Sequence, residues 1–372
     1  MEIHIFIAHM GIGGAERVCV NLANEFAQKG NEVHIVVLNL KNDVNTHLLD
    51  KNVRVHSLNV SRLRYSPIAM FRYVKQYQPP FLFVFGNEMA VILNKMKKLH
   101  LIHTPLIVRV LNNVNISLSK EDHVSPIVEK YLKKAQKQLK DMDHVVAQCD
   151  AMKEMLLKNK LVTESKLSRI YNPVSGELIL KTDSIRPPIS QRNPNREKQI
   201  IFIGRLDPQK NPEHLLRAFD RVHEQMPNTR LRLIGTGNLE EFTRELTMKM
   251  GLTECVNFEG VCKNMETIYS QADAVVLSSE YEGMPNCLIE AIGCGIPIVS
   301  YDCPIGPKEI VVDSENGYLV EYNNIEQLAE CLIKALDKEW DAEKIKDTCS
   351  KFYVKKIAEQ YLQVFQKVMA EE

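Results

Sequence analysis

Two glutamates, two cations and a proline carry most of the chemistry in this chain. Glu282 and Glu290 stand in EYEGMPNCLIEAIGCG, on either side of Gly283, Met284 and Pro285. Arg205 and Lys210 stand in FIGRLDPQKN. Arginine grips a phosphate by a forked contact and lysine neutralises it as a point charge, so this pair suits a diphosphate. Carboxylates accept hydrogen bonds from hydroxyls. One on each side of a phosphate site would meet the ribose and the hexose of a nucleotide sugar. Nothing in the spacing sets the two carboxyls about 5 Å apart, as the nucleophile and acid of a retaining glycosidase require. The plainer readings are solvated charge for Arg205 and Lys210, and a helix cap and a solvated face for the two glutamates.

These residues need particular elements to hold them. A strand over QIIFIG would leave Gly204 and Arg205 at the carboxyl edge of a sheet, where open α/β sheets bind ligands. A buried strand AVVLSS would put Glu280–Met284 in the next such loop. Pro285 suits the first position of a helix running to Gly293. The amides of Asn286, Cys287 and Leu288 would then lack intrahelical partners and could receive an anion. A second glycine turn, Gly11-Ile12-Gly13-Gly14-Ala15-Glu16, has Glu16 where a dinucleotide fingerprint needs its third glycine. That disfavours a nicotinamide dehydrogenase. The turn can still bring backbone to an anion, or it can be a plain strand-to-helix turn.

Along the chain, apolar β-rich runs alternate with amphipathic stretches. EIHIFIA, EVHIVVL, VRVHSL, FLFVFG, LIVRVL, HVVAQC and SRIYNPV form one set of strands. QIIFIGRL, LRLIGTG, VNFEG, AVVLSS, IPIVSYD and GYLVEY form another. KTDSIRPPISQRNPNREKQ, polar and proline-rich, reads as the linker. The expected fold class is α/β, with two doubly wound Rossmann-like domains facing across a cleft, 1–185 and 186–350. A C-terminal helix over 351–372 would pack back on the first domain. Tyr353, Ile357, Tyr361, Val364 and Val368 share one stripe of this amphipathic tail.

Net charge is zero, but residues 1–185 hold 25 Lys+Arg against 17 Asp+Glu and the rest hold 22 against 30. Two domains attracting each other, or a basic first half on a polyanion or membrane, would both use this asymmetry. The nine cysteines form no CxxC pair, which argues for a reducing compartment and against a disulfide framework or zinc cluster. No apolar run reaches the length of a spanning helix, and the opening MEIHIFIAHM lacks a basic leader, so a cytoplasmic protein is expected.

FIGRLDPQKN, LIGTGNLEEF, VNFEG, EGMPNCLIEA and GIPIVSYDCPIGPKEIV together resemble the nucleotide-binding half of the retaining group-one glycosyltransferases of GT-B fold. GIGGAERVCVNLANEFAQKGNEVHIVVL and RIYNPV extend the resemblance over nearly the whole chain. It implies a donor site made by Gly13, Gly14, Gly204, Arg205, Lys210, Val261, Cys262, Glu282, Gly283, Met284, Pro285, Asn286, Cys287, Leu288 and Glu290. Arg205, Lys210 and Glu282 would be catalytic. Glu290 would bind ribose, Glu282 the donor hexose, and Val261 and Cys262 the base. Gly14 would let the first-domain turn close over the diphosphate.

The resemblance also implies hexose transfer with retention, with no cofactor, no metal and no enzyme nucleophile. Asp141-Met142-Asp143 matches the metal motif of the other glycosyltransferase fold but is expected to be a polar turn here. The first-domain histidine of many relatives is missing from VRVLNNVN, where Leu111 and Asn112 stand; His103 and His123 flank it at the wrong spacing. PIGPKE resembles relatives using uridine donors. The expected partners are a nucleotide sugar and a lipid-linked oligosaccharide acceptor for surface polysaccharide, with no nucleic acid. Arg62, Arg64, Arg72 and Lys75, with Lys130, Lys133, Lys134, Lys137 and Lys140, would dock the first domain on the anionic inner face of the cytoplasmic membrane. Solvated helix faces are the alternative. A nucleotide-sugar epimerase and a non-catalytic sugar-nucleotide binder are the competing functions.

Overall fold

Short β-branched runs separated by amphipathic stretches build parallel sheets, because parallel neighbours need a crossover between them. The computed structural model describes residues 1–41, 43–111, 136–187, 193 and 195–371. Its two sheets pair in parallel throughout their described ladders. The chain divides into two compact units, Met1–Pro173 with Val354–Glu372, and Val174–Tyr353.

The first unit runs β1 (Glu2–Phe6), α1 (Gly14–Gln28), β2 (Glu32–Val37), β3 (Val53–Ser57), α2 (Pro67–Tyr77), β4 (Leu82–Phe85), α3 (Asn87–Lys98), β5 (Leu106–Arg109), β6 (His144–Ala147), α4 (Asp150–Lys158) and β7 (Leu167–Arg169). Sheet order is β3-β2-β1-β4-β5-β6-β7, so its direction of growth reverses between β1 and β4. The C-terminal helix Val354–Ala370 belongs to this unit and buries Ile357, Tyr361, Val364, Phe365 and Val368. The Phe365 ring lies 5.7 Å from Phe26, 4.7 Å from Phe81 and 5.2 Å from Phe83. Tyr353, expected on the same stripe, precedes this helix and lies in the second unit, 37% exposed. Lys130, Lys133 and Lys134, expected to help dock the first domain, lie outside the described residues.

The second unit runs α5 (Gly176–Ile185), β8 (Lys198–Ile203), α6 (Pro212–Gln225), β9 (Thr229–Ile234), α7 (Glu240–Lys249), β10 (Val256–Gly260), α8 (Met265–Gln271), β11 (Ala274–Leu277), α9 (Asn286–Gly293), β12 (Ile298–Tyr301), β13 (Gly317–Val320), α10 (Ile325–Asp337) and α11 (Ala342–Thr348). Sheet order is β10-β9-β8-β11-β12-β13, reversing between β8 and β11. Ile200, Phe202, Leu215, Phe219, Val276 and Leu332 are among its buried core.

The boundary differs from the one expected at 185. Residues 174–185 pack with the second unit: the Arg186 guanidinium donates to the carbonyls of Cys294 (2.7 Å) and Ala272 (3.3 Å), and Thr182 Oγ1 meets Cys294 Sγ at 3.5 Å. Lys181–Ile185 read as linker because the polar run Lys181–Ser184 and the prolines after it hide the last turns of α5. From Ile325 onward the described chain forms three α-helices, with breaks after Asp337 and Thr348.

Candidate functional site

A doubly wound sheet opens a crevice at its carboxyl edge where strand order reverses. In the second unit that point lies between β8 and β11. Gly204 and Arg205 follow β8; Tyr281, Glu282 and Gly283 follow β11. Pro208–Lys210 forms a short 3-10 turn, capped by Asp207, whose carboxylate accepts from the Lys210 amide at 3.3 Å. Asn211, in the left-handed region at φ 49°, then caps α6. This turn is tied to the facing loop. Ser278 Oγ donates to the Lys210 carbonyl (2.8 Å), the Glu280 amide to the Gln209 carbonyl (2.8 Å), and Gln209 Nε2 to the Tyr281 carbonyl (2.9 Å).

These ties bring Lys210 Nζ to 2.5 Å from Glu282 Oε1, with side chains only 13% and 8% exposed. Burial opposes the Lys210 charge. The facing Glu282 carboxylate, Cys287, the hydrogen bond to Glu282 and Asp207 together outweigh it, and the lysine pKa rises above its ordinary value. Arg205 is 69% exposed and sits 3.0 Å from Asp207 Oδ2 and 3.5 Å from Gln209 Oε1. Gly204 leaves room for the lysine stem: a Cβ there would stand 3.2 Å from Lys210 Cε. Gly235, at φ +129°, allows β9 to end against β8, since a Cβ there would fall 2.0 Å from the Gly204 carbonyl oxygen.

Glu282, Gly283, Met284 and Pro285 are buried and lead into α9. Pro285 is the N-cap, with extended ψ of 106°, and not the first helical residue expected. The helix starts one residue later, and the Leu288 amide, expected to be unpartnered, donates to the Pro285 carbonyl at 3.2 Å. Asn286 and Cys287 form the remaining first turn. Burial pushes the Cys287 thiol up to about 12, so it stays protonated. Glu290 is half-buried and accepts from Tyr269 Oη at 2.7 Å. Burial and the Glu290 charge hold that phenol well above its ordinary pKa, so it remains a donor. Ser279 Oγ, in the same loop as Glu282, is buried with no hydrogen-bond partner among the described residues.

Val261 and Cys262 follow β10. Val261 is 43% exposed, and Cys262 Sγ meets the Asn264 carbonyl at 3.7 Å. Three strand spacings separate β10 from β11 along this edge, about 14 Å at the usual inter-strand distance. Along this edge Val261 and Cys262 follow the outermost strand β10, the Arg205–Lys210–Glu282 cluster stands at the middle, between β8 and β11, and Glu290 lies on α9.

Gly13 and Gly14 lie in the first unit, after β1, at its own reversal point. Gly13 precedes α1, and Glu16 folds back over it: a Cβ on Gly13 would meet Glu16 Oε2 at 2.1 Å. Glu16 is buried, which raises its pKa, and its Oε1 lies 3.1 Å from His9 Nδ1. Leu111 follows β5, where Gln148 Nε2 donates to the Val110 and Leu111 carbonyls at 2.6 Å each; Asn112 and His123 lie outside the described residues, and His103 is exposed. Asp141 and Asp143 pair with Lys98 (2.7 Å) and Lys97 (2.6 Å).

Sequence reasoning missed Asp207, Gln209, Tyr269 and the His9–Glu16 pair. Asp207 had a readable signal, an acidic cap immediately before Pro208. Tyr269 had none, because its contact with Glu290 depends on how α8 packs.

Residues 12–177 match the family model described as Glycosyltransferase Family 4, and residues 186–352 the model described as Glycosyl transferases group 1. An uncharacterised glycosyltransferase of Haemophilus influenzae is 26% identical over 365 residues, covering 90% of this chain and 89% of its own length. The N-acetylgalactosamine-N,N'-diacetylbacillosaminyl-diphospho-undecaprenol 4-alpha-N-acetylgalactosaminyltransferase of Campylobacter jejuni is 25% identical, covering 87% of each chain. Anabaena HepE, solved with UDP-glucose, superposes with a TM-score of 0.78 at 18% identity, covering 99% of this chain and 100% of that one. With family matches across both halves and the two parallel sheets in place, this chain belongs to the group 1 glycosyltransferases and has the GT-B fold.

Proposed function

We propose that the protein moves a hexose, with retention at the anomeric carbon, from a uridine diphosphate sugar to a lipid-linked saccharide acceptor in surface polysaccharide assembly. The observation that carries this reading is the buried Lys210–Glu282 pair at the β8/β11 reversal point, beside the amino end of α9. Arg205 and Lys210 take up the charge that grows on the departing diphosphate, joined by the first-turn amides of α9. Glu282 leaves its lysine to accept from a donor hexose hydroxyl. Glu290, held by Tyr269, accepts from the ribose. Gly204 admits the phosphate, Gly283–Leu288 line it, and Val261 and Cys262 cover the base.

As the C1–phosphate bond breaks, an acceptor hydroxyl oxygen bonds C1 from the same face. Its proton passes to the leaving phosphate oxygen, so neither a metal nor an enzyme nucleophile is needed. The Campylobacter relative's name supports a polyprenyl-diphosphate acceptor, and the HepE complex supports a uridine donor. Membrane docking is supported by an exposed stripe on and beside α2: Tyr65, Ile68, Arg72 and Lys75, with Arg62 and Arg64 alongside. No helix among the described residues is long and apolar enough to cross a membrane.

The test is a panel of nucleotide sugars scored for thermal stabilisation and for slow release of nucleoside diphosphate, followed by transfer to lipid-linked acceptors. A UDP-hexose at about 100 times its Kd should stabilise the fold by about 2.7 kcal/mol. Absence of stabilisation by every nucleotide sugar, or full turnover after Arg205→Ala with Lys210→Ala, would overturn the reading.

A further inference from the structure

We propose that Glu2, His4, Glu32 and His34 form a binding site for a divalent transition metal of the zinc class, in the amino half of the first sheet and separate from the transfer chemistry. The sequence places Glu-Ile-His on β1 and Glu-Val-His on β2. The strands pair in parallel with Glu2 opposite Glu32 and His4 opposite His34. A period of two puts all four side chains on one face, so the register makes a two-by-two array of carboxylates and imidazoles.

The distances fit an ion after small movements. Glu2 Oε1 lies 2.7 Å from His4 Nε2 and 4.0 Å from His34 Nε2, and Glu32 Oε1 lies 3.3 Å from His34 Nε2. A tetrahedral zinc with ligands near 2.0–2.1 Å holds its donors about 3.3 Å apart. The ligand atoms of Glu2, His4 and His34 all lie within 4.8 Å of one another. The two rings stack at 4.5 Å and 13°, so binding requires them to tip together at their Nε2 edges.

The other ring nitrogens already have partners that can orient the rings, a phenol and a third imidazole in place of the usual carboxylate, carbonyl or water. His4 Nδ1 lies 2.8 Å from Tyr73 Oη, and His34 Nδ1 lies 2.9 Å from His56 Nε2. Without an ion each Nε2–H donates to its glutamate; on binding, that proton shifts to Nδ1, which then donates to Tyr73 Oη or His56 Nε2, and each Nε2 offers its lone pair to the ion. Both imidazoles are buried, while the Glu2 and Glu32 side chains are 38% and 50% exposed and form an open mouth. Among the described residues, the other groups facing the array are Arg54 and His56 on β3 and Tyr73 and Tyr77 on α2. Arg54, 64% exposed, pairs with Glu32 and can turn into solvent when an ion arrives. Two imidazoles with two carboxylates select zinc-class ions over magnesium or calcium, which prefer oxygen-only sets.

The test uses the full chain, stripped with chelator and titrated with Zn2+ against a chromophoric competitor, with thermal unfolding in parallel. About one ion per chain should bind at micromolar concentration or tighter and raise Tm, while Mg2+ at millimolar concentration does neither. Glu2→Gln with Glu32→Gln, at the exposed mouth, should weaken zinc binding at least about tenfold. His4→Gln with His34→Gln should abolish it. No saturable zinc binding would overturn the proposal. Binding unchanged in the glutamate and histidine variants would overturn it too, by placing the ion elsewhere, such as on the thiols. Should the histidine variants fail to fold, the glutamate pair still decides the outcome.

Discussion

Lys210 and Glu282 are both largely withdrawn from water, so each charge depends on the other for compensation. Lys210→Met alone strands the carboxylate and should cost about 3–5 kcal/mol in urea unfolding. Adding Glu282→Leu should recover most of that loss while turnover stays down by about 100-fold or more, since an apolar pair can replace the ions in packing but not in charge stabilisation. Recovery of turnover along with stability would count against a chemical role. Because the lysine pKa is raised, its contribution is complete below the unfolded lysine value and fades only as pH climbs through the folded one. Tyr269→Phe removes one donor from Glu290. Donor KM should rise about five- to tenfold with little change in kcat, the signature of lost ground-state binding.

At the scale of elements, β6 carries a histidine whose neutrality is built in. His144 is buried, with Nε2 2.9 Å from Ser168 Oγ, and burial, then Lys367, bring its pKa down to about 4. The unfolded chain binds this proton near pH 6.5, so the unfolded state gains on the native one as pH falls from there toward 4. Stability should therefore drop across that window by up to about 3 kcal/mol from this group. His4 and His56, also lowered by burial, act with the same sign. Urea midpoints of His144→Gln should vary less with pH between those limits than those of the parent. The C-terminal helix offers a packing test. Phe365→Ala empties the space among Phe26, Phe81 and Phe83 and should cost about 3–5 kcal/mol, read as a lower urea midpoint.

For the molecule as a whole, a neutral chain with a basic first half need not be electrostatically neutral to a membrane. Each cation near an anionic surface contributes about 1 kcal/mol. Reversing Arg64, Arg72 and Lys75 to glutamate should therefore reduce partitioning onto phosphatidylserine vesicles more than about 100-fold at low salt. Binding to neutral vesicles should be weak for parent and variant alike. Co-sedimentation that ignores both salt and these substitutions would rule out an electrostatic docking face on α2.

Local stereochemistry made much of this protein readable in one dimension. Alternating apolar runs specified two parallel α/β sheets, and strand ends placed Arg205, Lys210 and Glu282 at the carboxyl edge of the second sheet, with Glu290 on the helix that follows, because periodicity and turn chemistry act over a few residues. Pro285 was legible as a helix start but one position off, since cap geometry depends on how the preceding turn packs. The meeting of Lys210 with Glu282, the hold of Tyr269 on Glu290, the assignment of residues 174–185 to the second unit and the alignment of two Glu-x-His strands were decided only by the fold. Each joins segments far apart in the chain, and such contacts depend on strand order and register, which no local pattern contains.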